Sequence, residues 1–333
     1  AELAAMFPQT GGDYVYMNRI YGRFWGFLFG WTKLFVERTG TIAILVFFFA
    51  EYLSRVIPYG GPVAQRWVAT GTVIGLTLVN SAGIRWGKYV QNFFTTLKIG
   101  ALGSLVAAGV SIFITHKAGS PDWHIPALSG SIVGSMGVGL VFVLFAYGGW
   151  TEAAYVAEEI KNPTKNVPRA ILQGLLLTAA LYVLVSWCYL LAVPIEELPK
   201  TPRVASRVMQ TALGSAGAAF IAVMIACSAF GASNGYILTG ARILYALGKD
   251  HPLFAKLGTL HPKYRTPIWA LWANAAVAAF LVFTKTFDQI ATYSTVAISV
   301  FFTMTVFGVI LLRHRLPNQP RPYRAWGYPF TPI

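Results

Sequence analysis

The sequence predicts an all-α polytopic membrane protein. The chain of 333 residues is 56% hydrophobic and 15% aromatic but only 11% charged, too apolar for a soluble domain of this length. Its apolar runs recur at about twenty residues, the length that crosses a hydrocarbon core of about 30 Å. No short, turn-bounded strand pattern of the kind a soluble α/β enzyme needs stands out between them.

Residues 1–7 read as the last turns of a helix stopped near Pro8. Thr10-Gly11-Gly12-Asp13 is a turn, and an amphipathic piece covers 14–21. Eight spans follow, at about 24–53, 64–83, 90–114, 131–160, 169–192, 214–244, 268–284 and 287–312. Gly22, Gly26 and Gly30 form a ladder suited to close helix packing. On this division every proline falls in a connector, as expected when proline costs about 3 kcal/mol in a helix interior. The connector 162–169 is charged and holds Pro163 and Pro168. Residues 318–333 are polar and stop where an apolar run begins, so both ends read as cut from a longer pattern.

The basic residues orient the spans. With the 8–23 connector cytoplasmic, 16 of the 26 Lys and Arg residues lie in cytoplasmic connectors, 7 in outside ones and 3 (Lys33, Arg38 and Lys98) within spans. That bias fits the positive-inside rule. The formal charge of +14 points to no nucleic-acid partner, because the basic residues are strung singly along loops. Cys188 and Cys227 lie in apolar runs and the five histidines are scattered over connectors. That pattern implies no metal site, no cofactor and no disulfide framework. An intramembrane enzyme would need His, Asp or Glu clustered at one depth, and the spans show no such cluster.

The segment 131–160 carries the strongest functional signal. As one straight helix it would run roughly 45 Å. It contains Phe145-Ala146-Tyr147-Gly148-Gly149-Trp150. Each glycine costs about 1 kcal/mol in a helix interior, so the pair marks a break. Unwound backbone at membrane depth is tolerated only where it is buried in protein or lines a polar cavity, and broken helices mark transporter binding sites. The other reading is close helix packing at the glycines.

Ionisable residues inside spans are functional candidates. Lys98 is either a fixed cation or proton carrier, or a lysine snorkelling to the interface. Lys33 and Glu37 share a helix face and are expected to pair, with Arg38 beside them in a structural role. Glu152, just past the glycines, either faces the cavity or caps the following half-helix. Ser233 and Asn234 read as packing groups, with cavity lining for Ser233 and Ser294 as the alternative.

In this order the motifs resemble the amino acid–polyamine–organocation superfamily, and within it the bacterial relatives of the L-type amino acid exchangers. Ala1 to Tyr16, with Gly11-Gly12-Asp13-Tyr14, is similar to the end of the second helix and the first cytoplasmic loop. Gly26 to Trp31 is similar to helix three, and Val90-Gln91-Asn92 with Lys98 to helix five. Phe145 to Trp150, then Glu158 to Pro163, is similar to helix six. Arg242 to Leu247 with His261 to Pro267 is similar to helix eight and its exit, and Pro322 to Pro329 to the approach to helix eleven.

The resemblance implies a leucine-transporter-like fold of two inverted five-helix repeats, incomplete at both ends. Residues 1–114 would be the remainder of the first repeat, 130–312 the second, and 313–333 a cytoplasmic lead-in. It implies a multi-pass transporter of the inner membrane, surrounded by lipid bilayer. The substrate would be an amino acid, moved by sodium-independent exchange or proton symport. The carbonyls of Phe145, Ala146 and Gly148 would hold the substrate ammonium, with Phe145 closing over it and Tyr147, Gly149 and Trp150 completing the site. Lys98 would occupy the place of a sodium ion and meet the region of Ser233. No acid lies within 145–150, which favours neutral substrates; cationic amino acids, polyamines or a non-transporting receptor role are the alternatives. The outside connector 54–63 has no cysteine, so no disulfide-linked heavy subunit is expected. A chain without helix one carries half a site and is not expected to transport alone.

Overall fold

The computed structural model describes residues 1–115, 134, 136, 137, 139, 140, 143, 146–149, 151–201, 203–284 and 287–330, apart from the side chains of 84–86, 88, 199, 287, 288 and 291. All regular structure among the described residues is helical. The helices are α1 (Glu2–Met6), α2 (Asp13–Tyr21), α3 (Arg23–Thr32), α4 (Arg38–Leu53), α5 (Gly61–Ser81), α6 (Ile84–Ile114), α7 (Glu152–Tyr155), α8 (Pro163–Ala192), α9 (Val204–Asp250), α10 (Ile268–Thr284) and α11 (Phe287–Arg315). Four stretches, Tyr89–Ile114, Pro163–Ala192, Val204–Asp250 and Thr292–Arg315, are long and apolar enough to cross a membrane.

The expected first span is one rod in two pieces. A π-helical segment, Lys33–Glu37, joins α3 to α4. A π-turn leaves backbone carbonyls unpaired within the helix, and such turns concentrate at functional sites. Here side chains take those carbonyls: the Thr39 hydroxyl donates to Leu34 at 2.8 Å and the Ser294 hydroxyl donates to Val36 at 3.2 Å.

Helix α9 organises the bundle, lying along α6 and α4, with α10 against α5 and α11 against α4. Small residues permit the approach: a Cβ on Gly231 would sit 2.4 Å from the Phe94 Cβ, and one on Gly240 2.7 Å from the Arg38 Cγ. One apolar core runs through Phe29, Ile42, Val46, Val73, Ile237, Leu244 and Leu271.

Two expectations need correction. Gly22 meets nothing within 4 Å of a Cβ position and has φ +96, so it is the turn between α2 and α3 and not a rung of a packing ladder. Pro168 lies inside α8, which begins at Pro163. It costs little there, because the Thr164 carbonyl it leaves free is in the first turn, beside the exposed Lys165.

Candidate functional site

The winding of the 131–160 segment stops at the glycines. Tyr147 still donates its N–H to the Val143 carbonyl at 3.0 Å. Tyr147, Gly148 and Gly149 then form a turn, with φ +90 at Gly149, a conformation L side chains avoid and glycine adopts freely. The chain resumes when Glu152 N–H donates to the Gly149 carbonyl at 3.1 Å. It runs on as the short α7 and a 3₁₀ turn, Ala157–Glu159. Phe145 and Trp150 lie outside the described residues. The Ala146 carbonyl accepts a hydrogen bond from the Tyr182 hydroxyl at 2.9 Å. The Tyr147 and Tyr182 rings meet edge to face, 5.2 Å apart.

A buried guanidinium anchors the chain just past the break. Arg38, 1% exposed, donates from Nη1 to Glu152 Oε1 at 2.9 Å. Thr239 of α9 donates to the other carboxylate oxygen. The Arg38 plane lies 5.2 Å from the Tyr155 ring centre and 4.8 Å from that of Tyr236. Three elements (α4, α7 and α9) thus converge on one ion pair directly beneath the unwound turn. Glu152 is therefore tied to a cation and capped by a hydroxyl, an arrangement that neither expected role described.

Arg38 has in Glu152 a partner that sequence reasoning does not supply. It stands next to the Lys33–Glu37 pair, which forms as expected at 2.6 Å, and was grouped with it. The signal was present: an arginine in mid-span requires a partner, and Glu152 is an acid in mid-segment. The wider π-turn lies between Lys33 and Arg38 and turns fewer degrees per residue than an α-helix, so Arg38 faces a direction that a straight α-helix would not give it.

The other candidates are spread out. Lys98 is half-buried on α6 and forms no hydrogen bond or ion pair among the described residues. Ser233 is fully buried and donates to its own helix, at the Ala229 carbonyl, at 2.8 Å; it does not meet Lys98. Ser294 is equally buried against Val36. Asn234, next to Ser233, ties three helices: it accepts from Asn80 at 2.8 Å and donates toward the Gly87 carbonyl and Gln91, each at 3.1 Å. Among the described residues no group of His, Cys, Asp and Glu could hold a metal. A cavity of about 550 Å³ opens away from the break, between the 9–23 connector and the end of α9, where Tyr14, Asn18, Arg19, Lys249 and Asp250 line it.

The amino acid permease family model matches residues 1–333. The chain is 31% identical to the serine/threonine exchanger SteT of Bacillus subtilis, over 100% of this chain and 75% of that protein. It is 28% identical to b(0,+)-type amino acid transporter 1 of Oryctolagus cuniculus, over 98% of this chain and 67% of the relative. It is 31% identical to large neutral amino acids transporter small subunit 2 of Mus musculus, over 98% and 62% respectively. With a helical bundle interrupted at a glycine pair and a family model matched from end to end, the chain belongs to the amino acid permease family, whose members share a multi-pass, leucine-transporter-like helical fold.

Proposed function

We propose that this chain is the core of a secondary active transporter of neutral amino acids, working by sodium-independent exchange or proton symport around the break in the 131–160 segment. The observation that carries the reading is the unwound turn at Tyr147–Gly149. Peptide groups freed from a helix at membrane depth need partners, and a substrate ammonium supplies three donors. The carbonyls of Phe145, Ala146 and Gly148 receive it, with Phe145 as the aromatic cover, Tyr147 and Trp150 as walls, and Gly149 giving the turn. A carbonyl has two acceptor positions, so the bond from Tyr182 to Ala146 orients that group and still leaves it one.

The preference for neutral substrates rests on Glu152. Its two oxygens are engaged by Arg38 and Thr239, so this acid, the nearest past the turn in the sequence, is not free to balance a cationic side chain. Lys98 supplies the fixed or titrating cation of the coupling machinery, with Ser233 and Ser294 on the surrounding helices. The name of the mouse relative includes "small subunit"; for this chain, with Cys188 and Cys227 both inside helices, we assign no disulfide-linked partner and no catalytic activity.

The test is uptake and counterflow by the full-length protein reconstituted in liposomes. Gly148→Asp should shift competition from neutral toward cationic amino acids. Unchanged selectivity in an active variant removes the turn from the binding site.

A further inference from the structure

The turn Gly11-Gly12-Asp13 grips one residue, Tyr155, on three sides. Gly11 N–H donates to the Tyr155 carbonyl at 3.4 Å. Gly12 has φ +47, and a Cβ there would lie 2.6 Å from the Tyr155 ring, so the ring fills the space a side chain would need. The Tyr155 hydroxyl donates to Asp13 Oδ2 at 2.8 Å. Tyr155 itself is fully buried and closes α7, the first helix after the break. The cytoplasmic turn therefore holds the segment that must move if the site beside Gly149 is to open inward.

Asp13 is the unusual member of this contact. It is 2% exposed, and its Oδ1 is buried without a hydrogen-bond partner among the described residues. No cation forms an ion pair with it there. Lys33, the nearest opposing charge, is committed to Glu37 at 2.6 Å, and Arg38 to Glu152 at 2.9 Å. A buried carboxylate with neither cation nor full hydrogen bonding is costly and is relieved by taking up a proton. Burial pushes the Asp13 carboxyl upward, and the Lys33 charge and the Tyr155 hydroxyl only partly oppose this. The groups around it are few. Among the described residues they are Tyr16 on α2, Lys33 and Glu37 on the π-helical segment, and Glu152 and Tyr155 on α7. Among the described residues, helix α11 lines the hollow beside Asp13 with the apolar Ala297, Ile298, Phe301 and Phe302. The hollow between Asp13, Lys33, Glu37 and those residues is about 10 Å³, room for one water at most and too small for a hydrated metal ion.

We propose that Asp13 is a proton-binding site that latches the segment after the break: protonated, it is stable in the dry clasp around Tyr155; ionised, the cost of keeping the carboxylate out of water exceeds what its stronger hydrogen bond from Tyr155 returns, so Asp13 moves to cytoplasmic water, the clasp opens and α7 is freed. One proton leaves per opening; the hydrogen bonds of Tyr155 to Asp13 and of Gly11 to Tyr155 break with it, and no covalent bond other than the Asp13 O–H changes. This site is additional to Lys98 and rests on the transporter reading only for its consequence, since the protonation itself is measurable without transport.

The experiment compares wild type with Asp13→Asn, which keeps the shape and cannot ionise. Infrared difference spectra over a pH titration should show the carbonyl stretch of a neutral carboxylic acid in the wild type, persisting above the pH at which an ordinary aspartic acid ionises, and lose it in Asp13→Asn. The same spectra with no band that the substitution removes would overturn the proposal, whether or not the protein transports. In liposomes holding the full-length protein, wild-type uptake should vary with cytoplasmic pH, and Asp13→Asn, fixed in the clasped form, should lose that slope and stay at low uptake at every pH. An unchanged slope refutes the latch and leaves the binding site at the break standing. If Asp13→Asn does not fold, Tyr155→Phe, which removes only the hydroxyl, should shift the wild-type band; an unshifted band counts equally against the proposal.

Discussion

Removing the Glu152 charge should harm the protein more than removing Arg38, although both changes break the same 2.9 Å pair. The asymmetry follows from burial. Arg38 is 1% exposed, whereas the Glu152 side chain is 26% exposed. Glu152→Gln leaves a guanidinium sealed among Tyr155, Tyr236 and Gly240, with its Nε and Nη2 already lacking hydrogen-bond partners among the described residues. Stranding a buried charge costs about 3–5 kcal/mol, and the two rings return on the order of 1–2 kcal/mol at best. Arg38→Met leaves a carboxylate that water and Thr239 can still reach, so its cost should be about 1–2 kcal/mol. The double variant should be less damaged than Glu152→Gln alone, because no stranded charge remains. Equilibrium unfolding in mixed micelles reads all three, and the cycle gives the coupling directly. Equal costs for the two single changes, or strict additivity in the double, would refute the reasoning.

Two further outcomes follow from the geometry. Gly149→Ala finds room, since its Cβ would lie 3.5 Å from the Tyr236 hydroxyl and 3.9 Å from the Glu152 Cγ. It must nonetheless hold φ +90, so it should cost about 1–2 kcal/mol through the backbone and reduce uptake; full stability and uptake would mean that the turn can rewind. Lys98→Ala should abolish transport or uncouple it from pH in liposome uptake, and wild-type activity at every pH would remove Lys98 from the mechanism. The latch has a stability signature as well. A carboxyl whose pKa is raised by folding binds more protons folded than unfolded. The contribution of Asp13 is therefore largest at low pH and is lost as pH rises above its ordinary value of 3.8; thermal unfolding of Asp13→Asn should show less decline toward alkaline pH than the wild type.

The sequence by itself determined the solvent, the helical class, the order of the spans and the place of the break. Each of these is local: apolar run length, glycine and proline positions and loop charge depend on neighbours within a few turns. The spans at 64–83, 90–114, 268–284 and 287–312 accordingly stand within a few residues of α5, α6, α10 and α11. Packing was partly legible for the same reason, as the small residues of α9 show where Gly231 meets Phe94. Only the tertiary structure decided which charges meet. Arg38 and Glu152 are 114 positions apart, and Asp13 and Tyr155 are 142 apart. The π-helical segment Lys33–Glu37 sets the direction of Arg38 toward Glu152, while its buried neighbours Lys33 and Glu37 pair with each other. Side-chain pairing across a bundle depends on helix rotation, and rotation is set by the sum of all contacts rather than by any stretch of sequence.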